Sequence, residues 1–242
     1  MEREVLVVRG LRKTIRGRNL VCEIAFTVSE GEIVGLLGPN GAGKTTIMKC
    51  TTGLMRANEG EIEICQEPFT CRDSRLLINV GAIIENPAFY DYMTGWKNLA
   101  QYMRASKMSV NATRMQEVVD MVKLDDVIHS KVKTYSLGMK QRLGLAQAII
   151  RNPKLLILDE PMNGLDPRGV IDLRNLLVAL SNQGTAIIVS SHLLSEIEKI
   201  ATRVLFIDEG KIIGDESLEG VGRDMISLEE KYMKITSGEA IA

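Results

Sequence analysis

The chain has 242 residues, with 30 Lys+Arg against 31 Asp+Glu and a net charge of −1 at pH 7. That length accommodates one large α/β domain or two small ones, and the balanced charge carries no global attraction to nucleic acid, so no nucleic-acid partner is expected. No apolar run approaches the ~20 residues of a membrane span, and Met1-Glu2-Arg3-Glu4 lacks the basic-then-apolar layout of a signal peptide, so the expectation is a soluble chain, any membrane role of which must come through a partner.

The first β-like runs are Glu4 to Val8 and Cys22 to Val28. The second alternates apolar and polar residues, which predicts a half-buried antiparallel strand. Between them, Arg9 to Arg18 holds Arg12, Lys13 and Arg16 without an acid and is expected to be a solvated basic loop, the alternative being a specific phosphate or membrane contact. Ile33-Val34-Gly35-Leu36-Leu37 predicts a buried strand, and Ile47-Met48-Lys49-Cys50 starts a helix. The residues that join them are Gly38-Pro39-Asn40-Gly41-Ala42-Gly43-Lys44-Thr45-Thr46. A strand, then G-x-x-x-x-G-K-T, then a helix is a phosphate-binding loop in its required context. Glycines let backbone N–H groups wrap a triphosphate closely, and the positive end of the following helix attracts the anion. Lys44 would reach the β- and γ-phosphates and Thr45 would sit on Mg²⁺. A nucleoside triphosphate is the expected ligand.

Gly53 reads as the cap ending this helix, and Gly60 to Cys65 as another strand. Val80-Gly81-Ala82-Ile83-Ile84 predicts a short buried strand that Glu85-Asn86-Pro87 breaks. From there to about Arg151 the pattern is helical, with amphipathic stretches over Met93 to Met108 and Ala112 to Lys123. Phe89, Tyr90, Tyr92, Trp96 and Tyr102 crowd into this segment, either as the core of a small helical lobe or as a partner surface. His129 lies in a polar stretch and is expected to be a surface histidine. Thr134 to Arg142 precedes a helix with apolar residues at Leu143, Ala146, Ile149 and Ile150, and Ser136 and Gly138 at its N-terminus form an arrangement able to bind an anion as the phosphate loop does.

Leu155-Leu156-Ile157-Leu158 followed by Asp159-Glu160 describes a buried parallel strand with two carboxylates at its C-terminal edge, where ligands bind in open α/β sheets. Asp159 is placed to hold Mg²⁺ through water, and Glu160 to take a proton from an attacking water. Asn163-Gly164-Leu165-Asp166-Pro167 opens the next helix. Thr185 to Ser190 is a further core strand, and His192 follows it at the same edge. Cys22, Cys50, Cys65 and Cys71 form no CxxC pair and no metal spacing with the histidines, so reduced, mostly buried thiols of a cytosolic protein are expected. The tail from Asp215 is charged and ends in a helix-like stretch, Leu228 to Met233.

The phosphate loop, the Ser136-to-Arg142 stretch, the Asp159-Glu160 pair, Gly164-Leu165-Asp166-Pro167 and His192, in this order over about residues 4–214, resemble the ATP-binding subunit of an ABC transporter. The resemblance implies a P-loop NTPase of the α/β class: a RecA-like core with an antiparallel β-subdomain and an inserted α-helical subdomain. The ATP-binding domain would span 1–214, its helical subdomain about 86–151, and a C-terminal extension 215–242. It further implies ATP and Mg²⁺ as cofactors, Thr45, Asp159 and Glu85 near the metal, and Glu160, His192 and Lys44 as catalytic residues. Ser136 and Gly138 would contact the γ-phosphate in trans across a head-to-tail homodimer, with Asp166 bridging the two copies. The chain would sit at the cytoplasmic face of the membrane on a separate polytopic membrane subunit.

Three positions depart from the family pattern. Tyr135-Ser136-Leu137-Gly138-Met139 stands where Leu-Ser-Gly-Gly-Gln is usual, Glu85 where a Gln is usual, and Ile15 where an aromatic usually stacks on adenine. The aliphatic Ile15 implies looser and less selective ATP binding. The glutamate and the Ser-Leu-Gly-Met-Lys-Gln-Arg signature make the chain most similar to the subfamily that exports bacitracin and lantibiotics, which implies ATP hydrolysis coupled to export of antimicrobial peptides. The alternative is a non-transport ABC ATPase acting with a soluble partner.

Overall fold

The computed structural model describes residues 3–71, 75–191, 194–218 and 228–237. Two long strands, β1 (Glu4–Ile15) and β2 (Arg18–Ser29), form the opening hairpin. Then follow β3 (Ile33–Leu37), α1 (Lys44–Thr51), β4 (Glu59–Ile64) and β5 (Glu67–Pro68). A second part contains β6 (Val80–Ile83), α2 (Gly95–Ala105), α3 (Ala112–Met121) and α4 (Leu137–Ile149). The remainder is β7 (Leu155–Leu158), α5 (Pro167–Asn182), β8 (Ala186–Ser190), α6 (Leu194–Ile197), β9 (Arg203–Asp208), β10 (Lys211–Ser217) and α7 (Leu228–Ser237).

These strands make two sheets. The first is antiparallel, in the order β2-β1-β4-β5, and the second has the order β10-β9-β3-β8-β7-β6. In the second sheet β9, β3, β8, β7 and β6 run parallel and β10 returns antiparallel to β9. Period-two alternation decides what each strand residue touches. Val34, Leu36, Leu155, Ile157, Ile188 and Leu205 pack with Ile47 and Met48 of α1 against the antiparallel sheet. Ile33, Leu37, Leu156, Leu158, Ile187, Val189 and Phe206 point the other way, into a second core shared with α2, α3, α4 and α5. Burial on both faces explains why β3, β7 and β8 are apolar but for Ser190 at the end of β8. Because these strands are parallel, Gly38, Glu85, Asp159 and Ser191 all follow strand C-termini along one edge of the sheet.

Several expectations are corrected. The stretch Arg9 to Arg18 is strand rather than loop, with only Arg16 and Gly17 turning the hairpin. Its basic residues are matched by acids on neighbouring strands: Arg9 pairs with Glu63, and Arg12 with Glu23 at 3.2 Å and Glu59 at 3.6 Å. Lys13 donates to the Arg56 carbonyl at 2.7 Å. The four thiols are free, as expected, but only Cys50 is buried; Cys22 and Cys65 are half-buried, Cys65 against the core beneath the antiparallel sheet, and Cys71 is exposed. The boundary expected at 214 falls inside β10, which continues to Ser217. Beyond it, α7 packs back on the core through buried Leu228, a Tyr232 ring 5.9 Å from Phe206, and a Lys231–Glu216 ion pair at 2.9 Å.

The crowded aromatics divide. Phe89, Trp96 and Tyr102 are partly buried against the helical core, whereas Tyr90 and Tyr92 stand half or more exposed in an edge-to-face pair at 6.0 Å. His129 is exposed and packs beside Trp96 at 5.5 Å.

Candidate functional site

The loop from Gly38 to Gly43 turns tightly between β3 and α1. Gly38 has φ 152° and Gly43 φ 111°, and a Cβ at these positions would lie 2.0 Å from the Ile207 carbonyl oxygen and 2.7 Å from that of Leu20. Both positions therefore require glycine, and the chain between them is free to present backbone N–H groups. Lys44 opens α1 and is 7 % exposed. Its ammonium donates to the carbonyl oxygens of Gly38 at 2.6 Å and Pro39 at 3.0 Å, across the mouth of the loop. Burial pushes the Lys44 pKa below its ordinary value, and the nearby Glu160 and Asp159 carboxylates oppose that shift.

Thr45 and the acids after β7 meet at the sheet edge. Thr45 Oγ1 donates to Asp159 Oδ2 at 2.7 Å. Asp159 Oδ1 accepts from Ser190 Oγ at 2.6 Å, and the same Ser190 oxygen accepts from the Glu160 N–H at 2.9 Å. Ser190 is fully buried and Asp159 nearly so, while Thr45 and Glu160 at the two ends of this chain are half-buried. Glu160 has φ 49°, a left-handed backbone uncommon for a residue with a side chain, and the hydrogen bond from its N–H to Ser190 holds it there. Asp159 also extends the β6–β7 ladder by donating its N–H to the Ile83 carbonyl at 2.8 Å.

Glu85, two residues past β6, also has a positive φ, 61°. Its carboxylate meets Lys49 of α1 at 2.5 Å. Ser136 caps α4, accepting from the Met139 N–H at 3.2 Å, and Asp166 caps α5, accepting from the Gly169 N–H at 2.8 Å. The two caps adjoin: a Cβ built on Gly138 would lie 3.0 Å from the Gly164 carbonyl oxygen, and one on Gly164 would overlap Leu137. Leu137 itself is 55 % exposed. Ile15 is 40 % exposed near the hairpin tip. His192 lies outside the described residues.

Thus Lys44, Thr45, Asp159 and Glu160 are brought together at one edge with the loop 38–46, while Ser136, Gly138 and Asp166 form a separate group within this chain. Sequence reasoning missed two residues. Ser190 was legible only as a strand end; its signal is the parallel register, which sets Leu158 beside Val189 and so places Asp159 next to Ser190. Lys49 carried a weaker signal, its spacing four residues after Thr45 on α1.

Thr45 and Asp159 supply hard oxygen ligands 2.7 Å apart beside the phosphate loop, which fits Mg²⁺, an ion that keeps several waters and takes the rest of its shell from phosphates. Among the described residues no group of three or more His, Cys, Asp or Glu side chains is placed to hold a metal ion. No described helix is long and apolar enough to cross a membrane.

The sequence model of the family described as ABC transporter matches residues 21–163, from β2 through the acids after β7. The chain belongs to the ABC transporter family. It is a nucleotide-binding ATPase subunit of that family, and its α/β architecture is that of the ABC cassettes. The uncharacterized ABC transporter ATP-binding protein YhcH of Bacillus subtilis is 47 % identical over 216 residues, covering 89 % of this chain and 70 % of that protein. The lantibiotic transport ATP-binding protein SrtF of Streptococcus pyogenes is 38 % identical over 233 residues, covering 94 % of this chain and all of the relative (100 %). The bacitracin transport ATP-binding protein BcrA of Enterococcus faecalis is 40 % identical over 215 residues, covering 88 % and 70 % of the two chains. A solved structure described as the ATP-binding subunit of an ABC transporter superposes with a TM-score of 0.86 at 27 % identity, covering 96 % of this chain and 99 % of that one.

Proposed function

We propose that this ABC ATPase powers the export of antimicrobial peptides of the lantibiotic or bacitracin type, as a homodimer at the cytoplasmic face of the membrane on a separate polytopic subunit. The observation that carries the reading is the similarity to lantibiotic and bacitracin transport ATP-binding proteins, which extends over 94 % and 88 % of this chain rather than over the phosphate loop alone.

In the mechanism, the loop 38–46 and Lys44 hold the β- and γ-phosphates of ATP, the Lys44 ammonium leaving the Gly38 and Pro39 carbonyls for the phosphate oxygens. Thr45 and Asp159 would hold Mg²⁺, with Glu85 offered to it from the end of the neighbouring strand, and the ion would supply charge neutralisation at the phosphates. Glu160 accepts the proton of the attacking water, and Ser190 keeps the Glu160 backbone in place. Ser136 and Gly138 of the second copy approach the γ-phosphate through the N-terminus of α4, by the same attraction of a helix start for an anion. Asp166 bridges the copies and His192 organises the γ-phosphate. Closure is favoured by a contact that exists only while the γ-phosphate is present, so hydrolysis removes the reason for closure. The ATP-binding domain with its helical part over about 86–151 would carry this work. The exposed Tyr90–Tyr92 pair, together with Trp96 at the start of α2, is the surface offered to the membrane partner.

The test is co-purification from detergent-solubilised membranes of the native host, with susceptibility to bacitracin and a lantibiotic measured with and without the chain. A small polytopic membrane partner, and sensitivity on loss of the chain, is the expected result. Only soluble partners with unchanged susceptibility would overturn it in favour of a non-transport ABC ATPase. Retained partner binding by Trp96→Ala and Tyr90→Ala would return the aromatic cluster to a packing role.

A further inference from the structure

The edge that must receive a triphosphate already carries three carboxylates after neighbouring strands: Glu85 after β6, and Asp159 and Glu160 after β7. Each repels the incoming phosphates unless a cation or proton compensates it. The electrostatics of two of them act on Lys44, which lies close enough to feel both Asp159 and Glu160. Glu85 has a different cation. Lys49 stands one helical turn beyond Thr45 on the same face of α1 and contacts the Glu85 carboxylate at 2.5 Å. Lys49 is about three-quarters buried, at 26 % side-chain exposure, while Glu85 remains 63 % exposed, so the lysine is the fixed partner and the acid the movable one. Glu85 is also the last charged residue before the chain leaves the sheet for the helical lobe, and its backbone there is left-handed.

We propose that Lys49 is a positioning residue that holds and neutralises Glu85 before nucleotide arrives, and gives the carboxylate up when a divalent cation enters beside Thr45 and Asp159. The Lys49–Glu85 pair then sets how strongly nucleotide binding depends on Mg²⁺. The inference rests on Glu85 facing the metal, as in the function proposed above. It adds a competitor for that carboxylate, which a plain surface ion pair would not supply. The alternative source of the same geometry is an exposed pair of no consequence, which contributes little in water.

The experiment is a double-mutant cycle on the full chain in a Glu160→Gln background, with Lys49→Met, Glu85→Gln and the combination. Binding of ATP is followed by the fluorescence of Trp96, the single tryptophan, which lies at the start of α2. The quantity read is the free Mg²⁺ concentration at half-maximal signal, together with ATP affinity in EDTA. With Glu85 present, Lys49→Met is expected to lower the half-maximal Mg²⁺ roughly three- to fivefold, the range an exposed-to-half-buried pair supplies. In the Glu85→Gln background the same substitution shifts it by less than about twofold, because an amide does not exchange a charge between the two cations. Equal shifts in both backgrounds would mean that Lys49 acts only as a general positive charge, and the inference falls. If Glu85→Gln alone leaves the Mg²⁺ dependence unchanged, the assignment of Glu85 to the metal falls and the inference with it. Lys49→Gln repeats the cycle should the methionine variant fold poorly.

Discussion

Replacing Ser190 by alanine tests the hydrogen-bond chain that joins the metal-binding acid to the general base. The hydroxyl is fully buried, donates to Asp159 at 2.6 Å and accepts from the Glu160 N–H at 2.9 Å. Its loss removes a charge-assisted bond, about 1.5–3 kcal/mol, and leaves a sheltered N–H without that acceptor, about 1–3 kcal/mol. The two terms overlap because the site relaxes, and a net loss of about 2–4 kcal/mol is expected. For a chain of this size that lowers Tm by roughly 5–15 °C. The catalytic effect is separate. Without the Ser190 contact the left-handed Glu160 backbone can relax, and kcat should fall about ten- to a hundredfold, part of what a positioned general base supplies, with KM for ATP nearly unchanged. The assay is thermal unfolding and steady-state phosphate release on the purified chain, with Ser181→Ala as the control. Ser181 is also buried and donates to the Gly31 carbonyl at 2.6 Å, ahead of the N-terminus of β3 and so at the opposite edge of the parallel sheet from the acids; that variant should lose stability and keep kcat. A Ser190→Ala chain with kcat within twofold of the parent, or with a loss no different from the control, would refute the bridging role.

Lys44→Met should weaken ATP binding by about ten- to a hundredfold, since charge-assisted contacts to phosphate are worth about 1.5–3 kcal/mol. The nucleotide-free chain should unfold at the same denaturant concentration or a higher one, because burial already disfavours the Lys44 cation; a large loss of stability without nucleotide would contradict this. Glu160→Gln should reduce hydrolysis by about 10²–10⁴ while ATP still binds, and an ATP-dependent species of twice the chain mass should accumulate in size-exclusion chromatography. Hydrolysis at the parental rate would remove Glu160 from the role of base. Ile15→Tyr should tighten ATP binding by roughly two- to tenfold, the range of an aromatic stack, measured by calorimetry against GTP as well as ATP; an unchanged Kd for both would show that position 15 does not meet the base.

The local chemistry of this protein is legible in its sequence because it depends on neighbours in the chain. The spacing of Gly38, Gly43 and Lys44 demands a tight turn onto a helix, and four aliphatics before Asp159 demand a buried parallel strand; both are present where the pattern puts them. What tertiary structure decided is which distant groups meet. Thr45 and Asp159 are 114 residues apart, Asp159 and Ser190 31, and Lys49 and Glu85 36, and each contact is set by the order and register of parallel strands. Register also overruled local composition in the first hairpin. A run of basic residues with no acid of its own resembles a solvated loop, but pairing β1 between β2 and β4 sets Glu23, Glu59 and Glu63 against it, so cross-strand charge matching makes it strand. The fate of Glu85 was undetermined for the same reason: a carboxylate's role depends on the nearest cation, and only the packing of α1 against the sheet brings Lys49 to it.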